Sequence, residues 1–322
     1  MNIKKIALAS VAIFASSMAF TVQAEDLLIG STSASSSHYG YFVAVGKLIN
    51  ENADDIKVTI VETGATMDNI SHIARERMDL GLVTTNVVQH AVAGTNKFEG
   101  NPQDLQLLWV YVGAPQNVVL RRDANIDSLE KLSEVAFNPG IKGSATEATT
   151  EAVFKTLGLT GKFMRGSTAD IVGAVKDNRL VGYVKSGAGE KLDGSSLDIA
   201  ASIPITVVGL SDAQKATLKE KMPDISVVDI PAGAAEGIPA YSTWSFGVGV
   251  AASSKLSEDA AYKIVKAVME DKTVQGEAMA SVKGANLAER TLKFGTIALH
   301  PGAARWFTEN GYTLPAKLQI TK

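Results

Sequence analysis

Two stretches of glycine and small hydroxyl residues carry the side chains best suited to chemistry. The first is Gly30-Ser31-Thr32-Ser33-Ala34-Ser35-Ser36-Ser37-His38-Tyr39-Gly40, which follows the apolar run Leu27-Leu28-Ile29. The second is Asn138-Pro139-Gly140-Ile141-Lys142-Gly143-Ser144-Ala145-Thr146-Glu147, which follows Val135-Ala136-Phe137. Each joins a strand-like run to a segment with helical apolar spacing. The first turn of a helix offers unsatisfied N–H groups and the positive end of a dipole, so such a loop holds a carboxylate or phosphate without a metal. One loop of this kind says little; two in one chain point to an anion held between two parts of the fold.

The donors these loops offer are Ser36, Ser37, Gly143, Ser144 and Thr146. Tyr39, with a flat apolar face and a hydroxyl, reads as a better contact than His38. Thr63 and Gly64, then Thr85 and Asn86, stand where two further apolar runs end, and ligands of open α/β sheets bind at strand C-termini. An acid enclosed between lobes also needs a cation. Lys142 in the second loop and Lys185, before Ser186 at the end of Leu180–Val184, are best placed. Arg165 is the third choice, whereas Arg121 and Arg122 beside Asp123 read as a solvated turn.

Catalysis fits poorly. There is no Gly-x-Ser-x-Gly elbow, and Gly187-Ala188-Gly189 lacks a nucleophile. His38, His72, His90 and His300 show no metal-ligand spacing. Gly140-Ile141-Lys142-Gly143-Ser144 lacks the Gly-Lys-Ser/Thr order of a phosphate loop. The chain has no Cys, which excludes thiol chemistry, Cys-based metal sites and lipid attachment at a lipobox. The expectation is binding of a small acid with no enzyme activity, cofactor or metal.

The elements that must position these residues alternate between strand and helix. Strands are expected at Leu27–Ile29, Lys57–Glu62 and Leu80–Val83, with helices at Tyr39–Asn52 and Thr66–Met78 between them. Leu107–Val112 and Asn117–Arg121 read as two strands broken by Gly113-Ala114-Pro115, a crossing point between lobes. The following section alternates in the same way, through strands at Val135–Phe137, Leu180–Lys185, Ile205–Val208 and Ile225–Ile230. Trp244–Ala251 reads as a strand that returns to the first lobe, with helices after Ser257 and from Pro301 to Gly311. The pattern implies an α/β protein of two lobes, each a mainly parallel sheet flanked by helices, with a cleft between. Residues 25–113 begin lobe I, 114–241 form lobe II, and 242–322 return to lobe I. The lobes would hinge near Val110–Ala114 and Ser242–Val248.

Residues 1–24 read as an export signal. Lys4 and Lys5 precede the apolar stretch Ile6–Phe20, and Val22-Gln23-Ala24 offers small residues for cleavage before Glu25. The apolar stretch is short for a membrane span, which needs roughly 20 residues. A soluble, monomeric mature protein in the periplasm is expected. The net charge of −3 and the absence of any basic run argue against a nucleic-acid partner.

Four stretches, in order, carry a family likeness: Ile29-Gly30 through Tyr39-Gly40; Glu62-Thr63-Gly64-Ala65 before Asp68-Asn69; Lys142 to Glu147; and His300-Pro301-Gly302-Ala303-Ala304-Arg305-Trp306-Phe307. Across nearly its whole mature length the chain resembles the TAXI group of solute receptors of TRAP transporters. Its first loop is Ser-rich where the family's is Gly-rich, with Tyr41 in place of a common Pro and Ala145 in place of a Gly. The resemblance implies a two-lobed periplasmic binding protein, type II-like, that captures a small organic acid such as glutamate or 2-oxoglutarate. It also implies delivery to fused Q/M-type membrane subunits driven by an ion gradient. The receptor of an ATP-driven importer shares this fold and is the alternative; a periplasmic enzyme is a weaker one.

Overall fold

The computed structural model describes residues 24–320. The expected export signal, apart from Ala24, lies outside the described residues. The chain begins β1 (Glu25–Gly30), α1 (Ser37–Asn52), β2 (Ile56–Val61), α2 (Thr66–Ala74), β3 (Leu80–Thr84) and α3 (Thr85–Ala93). β4 (Gln106–Arg121) then leaves this lobe for a second one. That lobe contains α4 (Leu129–Ser133), β5 (Ala136–Phe137), α5 (Ala145–Thr156), β6 (Lys162–Phe163), α6 (Thr168–Lys176) and β7 (Gly182–Ser186). It continues with α7 (Gly194–Ala200), β8 (Ile205–Val208), α8 (Asp212–Lys221) and β9 (Ser226–Ile230). β10 (Tyr241–Ala252) returns, and α9 (Glu258–Glu270), α10 (Val274–Ala278), α11 (Leu287–Phe294) and α12 (Pro301–Glu309) pack on the first lobe.

The sheet is mixed, where mainly parallel sheets were expected. β1 pairs in parallel with β2 and β3, and β5 with β6. β10 is antiparallel to β3, β4 and β9, and β4 is antiparallel to β7 and β8. The cause is the double crossing: β4 runs out and β10 runs back, so each imposes an antiparallel ladder on the centre.

β4 is also one strand of 16 residues rather than two. Pro115 pairs with Ser245 at the end of the β4–β10 ladder, and β7 takes over from Gln116. A residue without an N–H is tolerated where one ladder hands over to another.

Burial separates the lobes. Ile29, Phe42, Trp109, Val250, Ile264 and Phe307 belong to one apolar core. In the second lobe Phe137, Phe154, Leu218 and Trp244 form one cluster, and Ile171, Tyr183, Ile199 and Ile230 another.

The His300-Pro301-Gly302 stretch is structural. His300 caps α12, its Nδ1 accepting from the Gly302 N–H at 3.3 Å while its Nε2–H donates to the Leu256 carbonyl at 3.0 Å. Pro301 occupies the first helical position, where its missing N–H costs nothing. A Cβ on Gly302 would lie 2.1 Å from the Glu258 carbonyl oxygen of α9. Gly302→Ala should therefore force α9 and α12 apart and cost about 1–3 kcal/mol. Urea unfolding of the variant measures this, and an unchanged midpoint would mean that the two helices are not in close register.

Candidate functional site

Polar side chains converge where strand ends of the two lobes face each other. Ser31 and Thr32 follow β1, Thr66 begins α2, Thr84 ends β3, and all four are buried. From the second lobe come Ser144 and Thr146 at the start of α5, and Lys185 and Ser186 at the end of β7. Between them lies a cavity of about 40 Å³ lined by Thr32, Ser36, His38, Thr66, Thr84, Ser144, Thr146, Lys185 and Ser186, with Ala65, Leu82, Ile141, Val184 and Val248 among its apolar walls. A larger hollow of about 450 Å³ around Trp306 and Gln275 lies among the C-terminal helices, away from these strand ends.

Lys185 is the chemical centre. Its side chain is 8% exposed, and its nearest carboxylate oxygen, Asp193 Oδ1, is 3.7 Å away. Among the described residues its ammonium makes no hydrogen bond. Two hydroxyls that line the same cavity, Thr66 Oγ1 and Thr84 Oγ1, are likewise buried without a partner. Buried polar groups are almost always paired, so unpaired donors around a buried cation mark a place where another molecule belongs. Ala65, beside Thr66, adds strain: its φ of 74° and ψ of −146° lie in a region that favours glycine, a cost of about 1–3 kcal/mol that tends to collect at ligand sites.

Asp193 holds the lobes together. Its Oδ2 accepts from Ser36 Oγ and from the Ser37 N–H, both at 2.9 Å, and its Oδ1 accepts from the Ser195 N–H and hydroxyl. In return Ser37 Oγ accepts from the Gly194 N–H at 2.9 Å. The first turns of α1 and α7, one from each lobe, thus cap each other, and the carboxylate sits at the positive end of both dipoles. Burial pushes the Asp193 carboxyl up, but Lys185, His38 and the Ser195 donors outweigh it and hold it below the usual carboxylate range.

His38 makes a second contact between lobes. Gly187 O accepts, so Nε2 carries the proton (3.2 Å) and Nδ1 accepts from Tyr111 Oη (2.8 Å). Burial lowers its pKa to about 4, with Asp193 opposing and Lys185 reinforcing, so the ring is neutral at pH 7. The floor is fixed by Gln116, whose Oε1 accepts from Thr146 Oγ1 at 2.8 Å and from Ser186 Oγ at 3.1 Å.

The structure brings Ser36, His38, Ser144, Thr146, Lys185 and Ser186 to the cavity and places the other expected residues elsewhere. Ser37 serves the cap between lobes. Tyr39 is half-buried and off the cavity, because the helical turn of about 100° per residue aims its neighbour His38 inward instead. Thr63 Oγ1 lies 2.8 Å from the Ser31 carbonyl and 2.7 Å from Asn69 Oδ1, bracing the loop. A Cβ on Gly64 would meet the Lys142 carbonyl at 2.6 Å, so this glycine allows the lobes to touch. Thr85 Oγ1 accepts from the Gly247 N–H, and Asn86 donates to Thr149 across the cleft. Gly143, at φ 82°, turns the loop, and its carbonyl accepts from the Met67 N–H. Lys142 is exposed and does not reach the cavity. Arg165 is held by Glu147 and Glu151. Thr32 lies in the first small-residue loop, which was expected to face the cleft, whereas Thr66, Thr84, Tyr111, Gln116 and Asp193 were missed.

Among the described residues no group of three His, Asp or Glu could hold a metal ion, and no helix is long and apolar enough to cross a membrane.

Two α/β lobes joined by a pair of crossing strands, with polar strand ends facing across a cleft, define the fold of periplasmic solute-binding proteins of transporters. The chain belongs to the NMT1-like family, whose model matches residues 29–311. Three solved structures illustrate the likeness. MatC from Rhodopseudomonas palustris with bound malate superposes with a TM-score of 0.57 at 12% identity, over 84% of this chain and 93% of that one. A putative L-cystine ABC transporter protein from Listeria monocytogenes gives 0.52 at 12%, over 80% and 96%. A structure described as a periplasmic transporter also gives 0.52 at 12%, over 91% and 98%. At such identities the likeness is one of fold.

Proposed function

We propose that this protein is a periplasmic solute receptor that encloses a small organic acid between its lobes and delivers it to a membrane importer. One observation carries the reading: the buried ammonium of Lys185 faces a cavity edged by unpartnered hydroxyls, with no hydrogen bond of its own. A carboxylate there would replace lost hydration with a charge-assisted hydrogen bond from Lys185 and further bonds from Thr66 and Thr84. The family motifs, chiefly His300-Pro301-Gly302-Ala303-Ala304-Arg305, favour the ion-gradient-driven TRAP class of importer, with fused membrane subunits. The fold alone is shared with receptors of ATP-driven importers, so a neighbouring gene for a fused, multi-span membrane subunit is the genomic mark expected, and an adjacent ATPase gene would point the other way.

A thermal-shift screen of the purified protein against small carboxylates and amino acids tests the receptor reading. A ligand at a hundredfold its dissociation constant should stabilise the fold by about 2.7 kcal/mol. Failure of every acid to shift the transition would contradict it.

A further inference from the structure

Resting on the receptor reading, we infer that the solute is a compact monoanion: a monocarboxylate with one further neutral oxygen, hydroxyl or oxo, and neither a dicarboxylate nor a zwitterionic amino acid. This narrows the family expectation of glutamate or 2-oxoglutarate, and it follows from the charges that line the cavity. Among the described residues there, Lys185 and His38 are the ionisable ones. His38 is neutral and both its nitrogens are taken, by Tyr111 and Gly187. Lys142 is exposed, and Arg165 is neutralised by Glu147 and Glu151. The walls therefore supply one positive charge, already partly offset by Asp193. One carboxylate can be matched; a second would be stripped of water with no cation beside it, which low-dielectric surroundings penalise heavily.

An ammonium group is no better served. The Asp193 oxygens are occupied by donors from Ser36, Ser37 and Ser195. Those of Glu147 are taken by Arg165 and the Gly143 N–H. What the cavity has to spare is neutral: Thr66 Oγ1 and Thr84 Oγ1, each able to donate or accept. Size agrees. At about 40 Å³ the cavity is far below the 300–1,000 Å³ typical of drug-sized ligands, and it suits a solute of a few heavy atoms.

Matched probes isolate the charge. L-lactate, L-malate and L-alanine share a three-carbon core; malate adds a carboxylate, and alanine exchanges the hydroxyl for an ammonium. Pyruvate and oxaloacetate form an oxo pair. Calorimetric titration of the wild-type protein at pH 7 should show lactate or pyruvate binding at least 100-fold tighter than its dicarboxylate partner and than alanine. Asp193→Asn removes the negative charge and should narrow the gap between lactate and malate by 10-fold or more. Malate, oxaloacetate or alanine binding as tightly as its monoanionic counterpart would overturn the charge inference and leave the receptor reading intact. If mono- and dicarboxylates and alanine all fail to bind, both are overturned.

Discussion

Replacing Lys185 by methionine should weaken binding of the acid by about 2–5 kcal/mol, roughly 30- to 4,000-fold, while the fold survives. The size of the effect follows from burial. Lys185 is 8% exposed in a small cavity, so its attraction for a carboxylate is little screened, and water cannot replace it. Methionine keeps the length and the apolar stem but brings no charge. Asp193 loses its counter-charge but keeps all four of its hydrogen-bond donors, so the cost to folding is smaller than the cost to binding. The neighbouring candidate provides the control: Lys142 is exposed, and Lys142→Ala should leave the affinity unchanged. Titration calorimetry on both variants decides between them. No loss in either would mean that the anion is held by loop amides, and equal loss in both would contradict the assignment to Lys185 alone.

Acid should loosen the contact between lobes before it unfolds most surface ion pairs. His38 titrates at about 4 in the folded protein against 6.5 as an ordinary histidine. Between these values the unfolded chain binds more protons, so stability falls as pH drops from about 6.5 to 4, by roughly 3 kcal/mol. A proton on Nδ1 also removes the acceptor that Tyr111 Oη uses. Asp193, held below its ordinary value, adds a further loss in the same direction below about pH 3.8. His38→Gln keeps a donor and an acceptor but does not titrate, so its stability should be flatter over that window. Asp193→Ala should cost about 3–5 kcal/mol at neutral pH, since it leaves Lys185 without a counter-charge and uncaps two helices. Urea midpoints measured from pH 4 to 7 on the three proteins test this; a histidine variant with the wild-type slope would place the acid sensitivity elsewhere.

The alternation of apolar runs and helical spacing was enough to read the fold class, because period and burial are local properties. Helix starts were partly legible: Ser257 was read as a cap and accepts from the Ala260 N–H, whereas α1 begins at Ser37 behind its cap Ser36, two residues before the expected Tyr39. Strand direction was not legible, since β4 and β10 find their partners only in three dimensions. The site divides in the same way. Lys185 stood out because it ends a strand before Ser186-Gly187, but nothing local ranked it above Lys142, whose loop turns it to solvent. Tyr39 was preferred to His38 on side-chain chemistry, and a single step of helical phase reverses the choice. Asp193-Gly194-Ser195-Ser196 has the look of a helix start, yet its partners Ser36 and Ser37 lie far away in sequence, and only folding brings the two caps together. Thr66 and Thr84 carried no signal beyond their place at an element boundary.

The most direct test is a crystal structure of the protein grown with the acid that the titrations identify. A carboxylate oxygen is expected within about 3 Å of Lys185 Nζ, with the Thr66 and Thr84 hydroxyls bonded to the same molecule and Asp193 still bridging α1 and α7. An acid seated in another hollow, or in this cavity with its carboxylate turned away from Lys185, would contradict it.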